Sequence, residues 1–160
     1  RRDGVGGESP LHQSRFLQTC AMSQEHQGTC LCGSVKYNVK GPFIRFFFCH
    51  CSRCRRATGT EHAANLFTRA ANVVFTQGED KIKRFDLPEA DQFSRAFCTT
   101  CGSPVPYVSR DGKVSVVPAG SLTHFDERKV DANVHWDSRA DWYEEALSAP
   151  RKTEEDLKRK

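Results

Sequence analysis

Seven of the eight cysteines in this chain fall in three tight groups, and this grouping restricts the possible folds more than any other feature. The groups are Cys30 and Cys32, then Cys49, Cys51 and Cys54, then Cys98 and Cys101. An odd number of cysteines in C-x-C, C-x-C-x-x-C and C-x-x-C patterns fits a secreted disulfide framework poorly. Such spacing places several sulfurs on one turn of the chain, where they can face a single ion. The sequence therefore predicts metal binding rather than disulfides.

The first and last pairs predict a closed structural zinc site. Two cysteine pairs separated by a long insertion supply the four thiolates of a tetrahedral zinc, here Cys30, Cys32, Cys98 and Cys101. A glycine follows the second cysteine of each pair, where it lets backbone amides approach the sulfurs. We expect this site to stabilise the fold, because a closed shell of four sulfurs leaves no coordination position for a substrate.

The middle group predicts a second site of a different kind. The segment Cys49–Cys54 reads CHCSRC and offers three thiols, with no other cysteine left after residue 21. Zinc held by three protein ligands keeps a position for water or substrate, which is typical of reactive sites. The alternative is that a histidine closes the shell. In an extended chain His50 should point away from its neighbours, whereas His62, His124 and His135 remain candidates on spacing alone.

Short alternating apolar segments separated by turns predict one all-β domain. We expect strands at residues 34–40, 43–48, 62–68, 73–76, 81–86, 92–97, 105–108, 114–117 and 130–136. Asp111-Gly112 is a hairpin signal between two of these strands. The best helix candidate is 138–147, with Ser138 as N-cap and Asp141 completing a capping box.

The two ends of the chain differ from this β-rich part. Residues 1–21, which include Cys20, lack periodicity and end just before Met22, the one methionine in the chain. We interpret residues 1–21 as an upstream leader or an expression remnant, with a genuine disordered arm as the alternative. Residues 22–148 then form the metal-binding domain. Residues 149–160 form a solvated tail of mixed charge.

Composition restricts the partners. The net charge is +4 with 28% charged residues, and no basic stripe marks a nucleic-acid surface, so nucleic acid is not an expected partner. No apolar run is long enough to span a membrane. The N-terminus also lacks the layout of a secretory signal, so we expect a cytoplasmic protein. The sequence does not indicate an oligomeric state.

Three motifs carry a family resemblance. They are GTCLCGSVKY at 28–37, CHCSRCRRATGT at 49–60 and FCTTCGSP at 97–104, with further matches GSL at 120–122 and HWDSRADW at 135–142. Together they resemble the glutathione-dependent formaldehyde-activating enzyme family, also called the centromere protein V/Gfa family. All seven clustered cysteines match that family's positions in order.

The resemblance implies an Mss4-like β-tent of stacked antiparallel sheets with a structural zinc and one short C-terminal helix. It assigns the structural zinc to Cys30, Cys32, Cys98 and Cys101, and a second, less firmly held zinc to the catalytic Cys49, Cys51 and Cys54. Glutathione would displace the water of that second zinc or rearrange its ligands. The implied reaction joins formaldehyde and glutathione into S-(hydroxymethyl)glutathione, and in the reverse sense the enzyme is a carbon–sulfur lyase.

Other roles remain open beside this one. One of Arg53, Arg55 and Arg56 could pair with a glutathione carboxylate, while Trp136 and Trp142 either wall the pocket or pack in the core. The same cysteines also fit a glutathione carrier, a redox sensor, an enzyme for another aldehyde or thiol, or a non-catalytic zinc module that binds protein or nucleic acid. We favour the lyase reading.

Overall fold

The computed structural model describes residues 25–158, and the descriptions below concern that part of the chain. The strands are β1 Glu25–Thr29, β2 Lys36–Lys40, β3 Arg45–Cys49, β4 Ala63–Arg69, β5 Val73–Gln77, β6 Ile82–Asp86, β7 Ser94–Cys98, β8 Pro104–Val105, β9 Tyr107–Val108, β10 Val114–Pro118 and β11 Ala132–Val134. The α-helices are α1 Ser52–Thr58, α2 Tyr143–Ser148 and α3 Glu154–Lys158. Single 3₁₀ turns occupy Ala70–Asn72, Glu79–Lys81, Ala119–Ser121 and Trp136–Ser138.

These strands form three sheets. Their orders are β1-β2-β5, β11-β3-β4-β10-β9 and β6-β7-β8. Every pairing is antiparallel except that of β11 with β3, which is parallel. The predicted all-β class with several antiparallel sheets is therefore confirmed.

The inward-facing residues of β2 and the residue just before it join these sheets into one core. Val35, Tyr37 and Val39 are all fully buried, which confirms the alternation predicted for this segment. Tyr37 and Val39 pack with Phe46 and Leu66 of the five-stranded sheet. Val35 instead belongs to a second cluster with apolar residues of β7 and β8, and this cluster includes two cysteines of the predicted structural site. The two clusters place that site where the first and third sheets meet.

Of two predictions for neighbouring strands, the structure confirms one and corrects the other. The hairpin at Asp111-Gly112 is confirmed, since β9 and β10 pair antiparallel and Gly112 adopts the left-handed φ of 74° that its turn requires. The predicted strand at 105–108 is instead two strands in different sheets, because β8 pairs with β7 and β9 pairs with β10. Pro106 separates them, and a proline cannot donate to a ladder of hydrogen bonds.

The helix predicted at 138–147 begins in the wrong place. Ser138 closes a 3₁₀ turn, and Arg139 after it has a non-helical ψ of 158°. The helix α2 starts only at Tyr143, and its N-cap Trp142 makes no side-chain capping bond. The capping box of Ser138 and Asp141 is therefore wrong, because the chain leaves helical geometry between these two residues.

Helix α1 was not predicted, although it carries part of the cysteine motif. It has seven residues and buries only Cys54, so it shows no apolar stripe to detect. Local caps define it instead. The Cys51 sulfur accepts the backbone N–H of Cys54 at its start, and Gly59 adopts a left-handed φ of 71° at its end.

The predicted leader at residues 1–21, together with Cys20 and Met22, lies outside the described residues. In the predicted tail, residues 149–158 are all exposed, and part of it forms the unpredicted helix α3. Within residues 25–158, each α-helix is far shorter than a bilayer-crossing helix would be.

Candidate metal centres and thiol site

Four cysteines from two distant segments meet between the first and third sheets. Cys30 and Cys32 lie in the turn after β1, Cys98 ends β7, and Cys101 lies in the turn before β8. All four Sγ atoms lie within 4.8 Å of one another. The Sγ of Cys32 is 3.5 Å from that of Cys30 and 3.9 Å from that of Cys98. Sulfurs around a tetrahedral zinc with 2.3 Å bonds are about 3.8 Å apart, so this cluster fits a zinc ion.

Both turns that carry these cysteines are built alike. The N–H of Gly33 donates to the carbonyl of Cys30, and the N–H of Gly102 donates to the carbonyl of Cys98. Both glycines have a left-handed φ of 73°. A residue with a side chain would be strained in this conformation. The first turn also directs the Val35 N–H onto the Cys30 sulfur, at 3.3 Å. Amide donors of this kind stabilise metal thiolates.

The pKa values of thiols in this cluster shift in opposite directions on its outer and inner sides. Hydrogen bonds with the side chain and backbone of Ser103 lower the pKa of Cys101 to about 5. Burial raises the pKa of Cys30, on the inner side. A metal cation bound among the four sulfurs would offset the cost of burying a thiolate charge at Cys30.

The other three cysteines are gathered by one short turn of chain. Cys49 ends β3, Cys51 is the N-cap of α1 and Cys54 lies in its first turn. Their Sγ atoms lie within 4.8 Å of one another, with Cys49 and Cys54 buried and Cys51 partly exposed. Thiolates are soft ligands suited to zinc, so this donor set also fits that ion.

Hydrogen bonds within this three-cysteine cluster favour a negative charge on it. The Cys54 thiol donates to Cys49 and lowers the pKa of Cys49 to about 5, with a smaller contribution from His135. The same hydrogen bond, together with burial, raises the pKa of Cys54. This hydrogen bond therefore favours the thiolate form of Cys49, which is the form that binds a metal cation.

Arg95 is the residue of this site that sequence reasoning missed. It is the second residue of β7, and its Nη2 donates to the Cys54 sulfur at 3.1 Å. Its guanidinium also lies over the rings of Phe93 and Tyr107, with 5.1 and 5.9 Å to the centroids. These ring contacts fix the donor that faces the sulfur. No local motif signals this role, because Arg95 is 41 residues from Cys54 in the chain.

Replacing Arg95 with methionine should weaken metal binding at the three-cysteine cluster. Losing an outer hydrogen bond to a metal ligand typically costs about 10–100-fold in metal affinity. We expect a loss in that range for Arg95→Met in a competition titration of zinc against a chromogenic chelator. Arg53→Met is the matched control, since Arg53 contacts Phe93 but no cysteine sulfur. Equal zinc affinity in the two variants would contradict this role.

The three-cysteine cluster opens into a cavity of about 410 Å³, called the thiol cavity below. Arg53, Arg95, Tyr107 and His135 also line it. Of the three arginines predicted near the metal loop, Arg53 is the one that reaches this cavity. Arg95 also lines a second, larger cavity of about 880 Å³.

The candidate histidines are dispersed. His50 is fully buried and points away from the sulfurs, with its Nε2 2.9 Å from Oδ1 of Asn133. His62 stacks on Phe48 and lines the larger cavity. The exposed His124 lies beside Asp126. In the part of the chain that the structure describes, no histidine nitrogen joins either group of sulfurs.

His135 has a special place among them, because it lines the thiol cavity and has an unusual backbone. Its φ of 55° is the one positive value among the described residues other than glycine. Its ring nitrogens do not belong to the group of ligand atoms formed by Cys49, Cys51 and Cys54, so His135 lines the cavity beside that group without closing it.

Neither tryptophan takes a predicted role. Trp136 and Trp142 are 41% and 52% exposed and do not line the thiol cavity, so they are neither pocket walls nor core residues. Trp136 covers the ring of His50 edge to face, with centroids 5.2 Å apart.

Comparison with known proteins now identifies the family. The model of the glutathione-dependent formaldehyde-activating enzyme family matches residues 25–138, most of the chain and all seven clustered cysteines. The chain belongs to this family. A curated relative in Halomonas elongata is named "Putative glutathione-dependent formaldehyde-activating enzyme". It is 26% identical over 125 residues, covering 74% of this chain and 79% of that protein.

The fold of this family member also matches an experimental structure. The crystal structure of a Rhodobacter sphaeroides protein has a TM-score of 0.52 and 26% identity to this chain. The match covers 67% of this chain and 98% of that one.

Proposed function

We propose that this protein binds two zinc ions and catalyses the reversible addition of glutathione to formaldehyde at its three-cysteine cluster. The observation that carries this proposal is the position of the cluster. Three sulfurs converge in the wall of a cavity that also contains two arginines, in a chain of this family. Cys30, Cys32, Cys98 and Cys101 would hold the structural zinc, and Cys49, Cys51 and Cys54 the second zinc.

The reaction needs a thiolate and a proton acceptor. A free thiol has a pKa of about 8.5, so little of it is ionised at neutral pH. Zinc, when bound, stabilises a thiolate and polarises a carbonyl oxygen. In the addition, the sulfur forms a bond to the aldehyde carbon, the carbonyl π bond breaks, and the thiol proton ends on the oxygen. The reverse step breaks the carbon–sulfur bond, which makes the enzyme a lyase.

Side chains around the thiol cavity suit these steps. Cys51, the most accessible of the three sulfurs, leaves one side of the cluster open to the cavity. Arg53 and Arg95 offer positive charge to the glutathione carboxylates. His135 is the imidazole that lines the cavity, and it is placed to accept the thiol proton. None of the seven described cysteines forms a disulfide, which suits the reducing cytoplasm.

The proposal is tested by measuring exchange between formaldehyde and S-(hydroxymethyl)glutathione by NMR, with and without the zinc-loaded protein. We expect exchange well above the spontaneous rate, saturating with glutathione. Binding of glutathione without acceleration would mean that the protein is a glutathione carrier. If the protein neither bound glutathione nor accelerated exchange, a glutathione function would be refuted and a non-catalytic zinc module would be favoured.

A further inference from the structure

His50 is a buried polar side chain that the proposed chemistry leaves without a role. Its imidazole is 0% exposed, and its Nε2 lies 2.9 Å from Oδ1 of Asn133. Because that oxygen can only accept, Nε2 carries the proton and donates. The other nitrogen, Nδ1, is buried without a hydrogen-bond partner among the described residues. An unpaired buried polar atom lowers stability, so packing alone does not explain a histidine where phenylalanine would fit.

The contacts of His50 surround the position of His135 in the chain. The His50 N–H donates to the carbonyl of Val134 at 3.0 Å, which extends the parallel pairing of β3 with β11. Its ring donates to Asn133 and meets the Trp136 ring edge to face, with centroids 5.2 Å apart. His50 therefore holds the two residues before His135 and the one after it.

His135 needs such support, because its backbone is strained. Its φ of 55° lies in the left-handed region, which is unfavourable for a residue with a side chain. A conformation of this kind persists only where the surrounding structure holds it, and it is often found at functional sites. With this backbone, His135 lines the thiol cavity together with the three cysteines.

We propose that His50 is a positioning residue, which holds the turn at 133–136 so that the His135 imidazole stays in the wall of the thiol cavity. His50 itself does not line that cavity. It lies between Cys49 and Cys51 in the chain and points away from their sulfurs, so one short segment places both the metal ligands and the proton acceptor. The role of His135 as proton acceptor rests on the proposed function, whereas its backbone conformation does not depend on it.

His50→Phe tests this role, because it keeps the ring and removes the bond to Asn133. The variant also removes the unpaired Nδ1, so its melting temperature should equal or exceed that of the wild type. We expect kcat for formaldehyde–glutathione exchange to fall about 10–100-fold, with KM for glutathione within twofold and two zinc ions per chain. His50→Gln, whose amide can donate in place of Nε2, should restore most of the rate. His124→Phe, at an exposed histidine, is the matched control and should behave as the wild type.

A second measurement reports the conformation of His135 without any activity. A positive φ brings the amide and α protons of one residue close together, so His135 should give a strong intraresidue HN–Hα NOE. We expect this NOE to weaken in His50→Phe. It should also weaken in Asn133→Leu, which removes the same hydrogen bond at an exposed position of β11.

A His135 NOE that stays strong in Asn133→Leu would overturn the proposal, whether or not His50→Phe folds. A lower melting temperature of His50→Phe with an unchanged NOE would also overturn it, since His50 would then be a packing residue. A weakened NOE with unchanged kcat would support the positioning role and refute His135 as the proton acceptor. A weakened NOE in a protein whose wild type shows no exchange activity would refute the proposed lyase function alone.

Discussion

In solution, most molecules of the Cys98→Ser variant are expected to be unfolded. Cys98 is fully buried at the end of β7 and packs in the cluster that joins the first and third sheets. Structural zinc sites contribute about 10–16 kcal/mol in small zinc domains, whereas a whole domain is stable by about 5–15 kcal/mol. Losing one of the four sulfurs therefore removes a large share of the free energy of unfolding. Near-UV circular dichroism and the dispersion of a ¹H–¹⁵N spectrum would show the loss of tertiary structure.

The control for this prediction keeps all four ligands. Ser103→Ala removes the hydroxyl that lies 3.3 Å from the Cys101 sulfur and should leave a folded protein with slightly weaker zinc binding. Strong chelators should reproduce the effect of Cys98→Ser in the wild type. A Cys98→Ser protein with native spectra would show that packing alone holds the sheets together.

Local patterns were sufficient to predict most of the fold. The alternation around Tyr37 and the hairpin at Asp111-Gly112 depend on neighbouring residues, so they can be predicted from short stretches of sequence. The break at Pro106 depends on which strands β8 and β9 pair with, and pairing partners are distant in sequence. Helix α1 was missed because sulfur and glycine caps define it rather than an apolar stripe.

The residues of the candidate site also fall into those that local sequence predicts and those that it does not. Spacing grouped the cysteines correctly in space, because neighbouring cysteines share a turn. Arg95 could not be found, because it reaches the site only through the register of a long-range strand pair. An unpaired charge on a strand just before the Cys98 pair was the one available signal for Arg95, and it is a weak one.

Cys51→Ser should abolish the proposed activity while leaving the fold intact. Cys51 caps α1 by accepting the Cys54 N–H at 3.4 Å, and serine is among the best capping residues. The start of helix α1 therefore remains capped. The cluster, however, loses one of its three thiolates, and the two that remain hold zinc poorly. We expect zinc per chain to fall from two to one. The rate of formaldehyde–glutathione exchange should fall to the spontaneous value.

The contrast between two identical substitutions makes this prediction decisive. Cys51→Ser and Cys98→Ser each replace one sulfur with a hydroxyl, yet the first removes a ligand from a cavity wall and the second from a buried junction of sheets. Ser52→Ala, at the exposed neighbouring position, controls for damage to α1 and should retain two zinc ions and full activity. If Cys51→Ser kept the second zinc and the exchange rate, another residue, with His135 the first to test, would complete the site. If it lost the fold as well, the three-cysteine cluster would be a second structural centre rather than the place of reaction.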